Sequence, residues 1–493
     1  MSSKAKVLKG FTMLVGGRIG SALVSVLSTA ILARLLSPND FGLVSAALVV
    51  LALANVIFDG AFGVSLIKKQ SVSVAEQRTT LTVAMLLSLV LIALIVLLSP
   101  QIGFFFRSES VGDLLYVAAL TIPFKAVFAV SSATLQRDSR FGSIAVGSLV
   151  GQIFGNVLVA VPMALWGFGP WALVVGMVLA GAMEAAIVAF KAKISLRPEL
   201  EKAAFRDLTS SALFSLANVM NWVANTGANA VVGRSMGFYD LGIYSRGWKL
   251  LDLVVGITAT PLSRVLVPAF SSRRDDPLRL AASFRQAFHL AVPAYACMSV
   301  FLVVHAQLIV YAALGAKWDQ TILVAQFFFA ALVPRCAFKI SENFAVAAGR
   351  SGAAVVRQFI YAALMVGGAV IGLSHGVSGV ALMTSGAVTI FYIISIAFAL
   401  RIGNISALPI LWIHCKAGIL AAVIATADAL LVWTFSEWPL ILRHVVGGTG
   451  GAVVMLALLS AAPSFWLGPA GESYIPRIRQ MIRKVNLVSI PKG

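Results

Sequence analysis

The chain has 493 residues, 59% of them hydrophobic and 12% charged, with a mean hydropathy of +0.94. A soluble globular domain carries about twice that charged fraction, so lipid rather than water is the main solvent. The net charge of +19 does not mark a nucleic-acid partner, because Lys and Arg fall in short patches between apolar runs instead of along one basic face.

A bilayer core of roughly 30 Å takes about 20 apolar residues per helical span. Runs of that length occupy residues 10–35, 41–67, 79–99, 112–134, 143–165 and 169–190. After a polar connector from Lys191 to Asp207 they resume at 208–232, 245–270, 286–314, 321–347, 354–374 and 377–400. Two more, 408–434 and 441–462, precede a basic tail with Arg477, Arg479, Arg483 and Lys484. The start, with Lys4, Lys6 and Lys9 ahead of an apolar stretch, imitates a signal peptide but is too long and contains Arg18, so it reads as an uncleaved first span. The expected fold class is an all-α polytopic membrane protein with about 14 transmembrane helices. Residues 1–200 are an N-lobe, 201–403 a C-lobe, 404–465 two further helices and 466–493 a tail.

With the N-terminus inside, and residues close to a run's end counted with the adjoining loop, 25 of the 38 basic residues fall on the cytoplasmic side, 7 in outer loops and 6 within spans. The protein is therefore expected to be multi-pass with both termini cytoplasmic.

The halves echo each other. The turn after the first run reads Arg34 to Asp40, Gly42 and Leu43, and 200 residues later come Arg234, Asp240, Gly242 and Ile243 in the same register. Gly167, Ala172 and Leu173 likewise match Gly376, Ala381 and Leu382, and Pro123 matches Pro334. Six runs separate each pair, an even number that preserves direction, which predicts lobes related by a pseudo-two-fold axis along the membrane normal.

Charges within spans are costly, about 2.5 to 3.5 kcal/mol each on insertion scales, so each needs a partner or a wet cavity. Lys125 follows Pro123 by two residues, and Arg335 follows Pro334 directly, putting a cation beside a helix kink in each half. Lys339 shares a helical face with Arg335, and Glu342 is placed to neutralise one of them. Arg18 and Arg264 sit in the cytoplasmic halves of their runs. Together Arg18, Lys125, Arg264, Arg335 and Lys339 suit a pyrophosphate head group. The alternatives are an Arg18–Asp59 salt bridge and, for Lys125 and Arg335, snorkelling or structural pairing. Asp59, Glu184 and Glu342 are candidates for a coupling ion or a charge pair, while Asp252, Asp428 and Lys416 have no evident partner.

Cys297, Cys336 and Cys415 lie in apolar runs and read as packing residues. His289, His305, His375, His414 and His444 are scattered singly, with no metal-ligand spacing and no nucleophile beside them, so no catalytic residue, metal or cofactor is expected. Gly16-Gly17, Gly181 and Gly447-Gly448 read as close helix packing, and Trp166, Trp171 and Trp438 as interfacial anchors.

The segments Ala33 to Gly42, Gly233-Arg234, Leu241 to Arg246, Pro261 to Ser271 and Leu314 to Trp318, in this order, resemble the Wzx-type polysaccharide flippases of the multidrug/oligosaccharidyl-lipid/polysaccharide exporter superfamily. The likeness is to the colanic-acid-exporter branch, and the length and basic composition resemble its succinoglycan transport group. The chain departs from the branch at Ala228-Asn229, where Asp-Asn is frequent, so a role for that acid does not carry over. The resemblance implies twelve core helices, alternating access, a bacterial inner membrane, and movement of an undecaprenyl-pyrophosphate-linked repeat unit to the outer leaflet. It also implies polysaccharide polymerase and chain-length or export proteins as partners.

Two other functions compete. A cation-coupled multidrug exporter shares the lobes, but its mostly cationic substrates are repelled by intramembrane Lys and Arg. A membrane glycosyltransferase or polymerase lacks an Asp-x-Asp pair and a large outer loop here. An ATP-driven exporter lacks a Walker A loop, since no Gly-Lys dipeptide occurs.

Overall fold

A computed structural model describes residues 20–21, 23–58, 73–138, 140–195, 197–201, 213–350, 352 and 354–467. The described secondary structure is helical throughout, as a bilayer demands, because a helix satisfies its backbone polar groups internally where no water can. In chain order the main helices are α1 Leu23–Leu35, α2 Pro38–Phe58, α3 Val74–Phe106, α4 Glu109–Arg137, α5 Phe141–Leu165, α6 Pro170–Ala192 and α7 Leu213–Ser235. They continue as α8 Phe238–Ser271, α9 Pro277–Val304, the bent α10 Thr321–Ala330 with Leu332–Ala347, α11 Ala354–Gly372, α12 Gly376–Ile402, α13 Ala407–Thr434 and α14 Leu440–Ala461.

Each falls on one of the predicted apolar runs. Ten stretches among the described residues are long and apolar enough to cross a membrane, with α11 and α12 counted as one, and α10 makes an eleventh. The chain is an all-α polytopic membrane protein. α7 is not among those stretches, a departure from the apolar span predicted there: asparagines at 218, 221, 225 and 229 interrupt its hydrophobicity.

Local chemistry fixes the helix ends. Ser73 caps α3 by accepting from the Glu76 amide, and the Glu76 carboxylate accepts from the Ser73 amide in return. Asp276 accepts from the Arg279 amide at the start of α9, where Pro277 needs no donor of its own. The two prolines singled out in the sequence break their helices three to four residues upstream, where the ring meets the i−4 carbonyl. α4 is interrupted at Ala119-Leu120, ahead of Pro123, and α10 bends by 40° at Ala331, ahead of Pro334.

The described residues divide into two compact units. One comprises those of Met1–Arg246 with Tyr311–Asp319 and Gln358–Val380, and the other Gly247–Val310, Gln320–Arg357 and those of Ala381–Gly493.

In the first unit the repeated turns meet. A Cβ on Gly42 would lie 1.7 Å from the Phe238 carbonyl oxygen, and one on Gly242 would lie 1.9 Å from that of Pro38. Just beyond, Ser45 donates to Ser245 at 2.9 Å. Each contact joins positions that correspond under the 200-residue repeat, so a local two-fold relation is built into the backbone at this crossing.

The second unit packs α9 against α13, and α13 against α14. Phe270, Phe284, Phe288 and Phe344 form a contiguous buried aromatic cluster within it.

Candidate functional site

The first unit places Lys125 on α4 just past the proline break. It is half-buried and lines a cavity of about 80 Å³ together with Glu184 of α6, Thr121, Phe124 and Leu48. The Lys125 ammonium lies 5.7 Å from the centre of the Phe128 ring and forms no ion pair within 4 Å among the described residues. Glu184 instead accepts a hydrogen bond from the Ser148 hydroxyl across the α5–α6 interface. The cavity therefore holds a cation and a carboxylate that do not neutralise each other directly, in a space for two or three waters.

The second unit places Arg335 on α10, buried to 6% exposure. Its guanidinium lies 3.6 Å from Asp252 and stacks over Trp248 at 5.1 Å. Asp252 thus has the partner that the sequence did not reveal. Lys339, one turn further along α10, is half-buried. Glu342 does not neutralise either cation as expected. Arg357 of α11, itself buried, binds it through two nitrogens at 2.9 and 3.0 Å, and Ser395 adds a third hydrogen bond. Glu342 is therefore a structural charge pair of Arg357.

Arg264 is exposed on α8. Arg18 and Asp59 lie outside the described residues, and so does the salt bridge weighed between them.

A larger cavity of about 900 Å³ opens in the first unit where α3 ends and α4 begins. Arg107, Arg234, Glu109 and Asp113 line it, two cations balanced by two carboxylates, so its net charge does not select an anion.

Sequence reasoning passed over the polar face of α7. Asn218, Asn221, Asn225 and Asn229 recur at helical spacing and are all half-buried. Asn225 donates to Asn221, and Asn221 donates to Gln358 of α11, each at 3.0 Å. The signal was present as a stripe of amides in an apolar run, the pattern that recognises hydroxyl groups without adding charge. His305, His444 and Asp428, read singly, were also missed as a group; the His305 imidazole is 3.6 Å from the Asp428 carboxylate.

Two of the segments that carried the family resemblance, Ala33 to Gly42 and Leu314 to Trp318, are architectural. Trp318 donates to the Ala33 carbonyl at 3.0 Å and packs edge-on against Phe41. Lys317 donates to the Arg34 carbonyl at 2.9 Å, while the Arg34 guanidinium returns bonds to the Tyr311 and Ala312 carbonyls. Burial draws the Lys317 ammonium below the usual lysine range, with Asp40 acting in the opposite sense. These residues clasp the turn after α1 and touch none of the cations above.

The fold is similar to that of a solved structure titled "Lipid II flippase MurJ, inward closed conformation", with a TM-score of 0.73 and 15% identity, covering 91% of this chain and 99% of that one. In sequence the chain is 24% identical to the lipopolysaccharide biosynthesis protein WzxC of Escherichia coli (strain K12), over 62% of each chain. It is 23% identical to the succinoglycan biosynthesis transport protein ExoT of Rhizobium meliloti (strain 1021), over 61% of this chain and 60% of that one. The matched segments thus span about three fifths of the length of these curated relatives. The family description "Polysaccharide biosynthesis protein" matches residues 31–323, more than half of the chain, and to that family the chain belongs.

Proposed function

We propose that the protein translocates undecaprenyl-pyrophosphate-linked oligosaccharide repeat units across the bacterial inner membrane for exopolysaccharide biosynthesis, by alternating access between lobes of residues 1–200 and 201–403. The carrying observation is the pair of repeat-equivalent sites: Lys125 and Arg335, each just past a proline break and each within a span. An anionic head group cannot cross hydrocarbon unaided, whereas its lipid tail can stay in the bilayer.

Lys125, Arg335, Lys339 and Arg264 are the proposed pyrophosphate contacts, with Arg18 completing the set at the first span. The half-buried asparagine stripe of α7 suits the sugar, whose hydroxyls pair with amides. The space beside Lys125 is small, so the substrate must enter a wider state of this site. The likeness to the ExoT protein makes succinoglycan the proposed polymer, with its polymerase and chain-length proteins as partners. Both termini lie in the cytoplasm in this reading.

The test is polymer output from cells in which the variant protein replaces the native one, with membrane levels measured in parallel. A charge-assisted contact to phosphate contributes about 1.5 to 3 kcal/mol, or about ten-fold to a hundred-fold in binding. Lys125→Ala and Arg335→Ala should each lower output at unchanged membrane level, and the double variant should lower it further. Wild-type output from the double variant would remove the pyrophosphate role from both residues.

A further inference from the structure

One buried polar cluster is used by neither the fold nor the proposed substrate path. His305 follows α9 directly, Asp428 lies on α13 and His444 on α14, and their exposures are 2%, 1% and 4%. The His305 Nε2 is 3.6 Å from an Asp428 oxygen, and the two Nδ1 atoms of His305 and His444 are 3.1 Å apart. The other Asp428 oxygen and the Nε2 atoms of both His305 and His444 have no hydrogen-bond partner, so His305 and Asp428 face each other as an ion-pair contact and not as a closed hydrogen bond. Three ionisable groups, from the end of α9 and from α13 and α14, thus line up as a chain of carboxylate, imidazole and imidazole, with unmatched polar atoms at both ends and at the step between His305 and Asp428.

The surroundings are shaped to this chain. A Cβ on Gly447 would lie 2.5 Å from the Asp428 carboxylate, and one on Gly448 would lie 2.8 Å from the His305 Nε2. The glycine pair of α14, which the sequence suggested was only for helix packing, makes room for the side chains themselves. Among the described residues, the charged groups that bear on the cluster are its own three and Arg443, next to His444 on α14; the Arg443 guanidinium donates to Gln307 at 3.0 Å. The described His, Cys, Asp and Glu side chains offer no grouping arranged to hold a metal ion.

Charge counting then defines the ligand. With one proton beyond neutral imidazoles and an ionised carboxylate, the chain is neutral, either as carboxylic acid with two imidazoles or as carboxylate with one imidazolium. Without it, a buried carboxylate stands uncompensated within the cluster, which is costly in an apolar interior. The Nδ1-to-Nδ1 contact needs one hydrogen between two lone pairs, so moving a proton along the chain requires only a change of tautomer.

We propose that His305, Asp428 and His444 form a proton-binding site holding one exchangeable proton, whose occupancy sets the packing of α13 and α14 on α9 and couples proton movement to transport. The coupling rests on the transport reading above; the proton site itself does not. The proton comes from bulk water on one side and returns to bulk water, with no bond to carbon made or broken.

Two measurements test it. In purified protein reconstituted in nanodiscs, ¹⁵N-histidine spectra across pH 5 to 9 should show His305 and His444 changing together, and Asp428→Asn should shift both. Independent titration of the two, or spectra unaffected by Asp428→Asn, overturns the site. In cells, polymer output should vary several-fold between external pH 6 and 8 with the wild-type protein and lose that variation with Asp428→Asn at normal membrane level. A pH profile like that of wild type in Asp428→Asn overturns the coupling. Should that variant fail to accumulate, His444→Gln replaces it: the His305 signal should then shift its titration and the pH variation of output should be lost, and an unshifted His305 overturns the site while a wild-type pH profile overturns the coupling. If the wild-type gene restores no polymer at any pH, the transport reading fails and the histidine spectra still decide the site.

Discussion

Arg335 and Arg357 are both buried, yet their partners assign them different work. Arg357 holds Glu342 through two nitrogens and also lies 4.2 Å from the Phe398 ring centre, so its charge is met within the fold. Arg335 lies 3.6 Å from Asp252, stacks over Trp248 and has the cationic Lys339 one turn away. A buried pair broken on one side leaves an uncompensated charge and costs about 3 to 5 kcal/mol, whereas replacing both partners by apolar groups is often neutral. Arg357→Leu should therefore lower the thermal unfolding midpoint in detergent by several degrees. The double variant Arg357→Leu with Glu342→Leu should recover most of that loss. It should also keep polymer output, because Glu342 is then a fold residue and not an ion carrier. Recovery of stability without output would return Glu342 to the list of functional carboxylates.

At the scale of helices, the tightest constraint is the crossing of the two repeated turns. No side chain can relax a Cβ placed 1.7 Å from a backbone oxygen, so Gly42→Ala and Gly242→Ala must push the two backbones apart. Overpacking of this kind costs about 1 to 3 kcal/mol and sometimes more, and here the obstacle is main chain. Each variant should reduce the amount of folded protein recovered from membranes, measured by fluorescence-detected size exclusion. Gly418→Ala, on α13 with nothing within 4 Å of the added methyl, should leave recovery unchanged or raise it. The repeat itself was legible in the sequence, as were the fourteen runs and the two proline breaks, because apolar period and proline stereochemistry act locally. The pairing of Ser45 with Ser245 was not, since it depends on which helices cross. The same holds for Glu342 with Arg357 and for His305 with Asp428. The asparagine stripe of α7 was legible but was masked by the surrounding apolar residues in a run-length reading.

For the molecule as a whole, the charge asymmetry makes a prediction independent of any site. Basic residues crowd the connectors at 68–78, 137–140, 191–206 and 273–285, and the intervening turns carry few. The turn between α5 and α6 is instead apolar and aromatic, with Trp166 75% exposed and Phe168 51%, as suits an interface with lipid head groups. Positively charged loops are retained in the cytoplasm during insertion, which predicts the α5–α6 turn outside and the α8–α9 turn, with exposed Arg273 and Arg274, inside. In a protein whose exposed native thiol is removed by Cys415→Ser, a cysteine introduced by Phe168→Cys should react with a membrane-impermeant maleimide in intact cells. One introduced by Arg274→Cys should react only after the membrane is opened. The opposite pattern would invert the protein, and the proposed direction of transport would have to be rebuilt with Arg264 opening to the outer face. Labelling of both sites in intact cells would mean that the span count between them is wrong, because α6, α7 and α8 separate the two turns only if an odd number of them cross. That outcome bears most on α7, whose asparagines make it the least hydrophobic of the three and the one that needs its neighbours to be held in the bilayer.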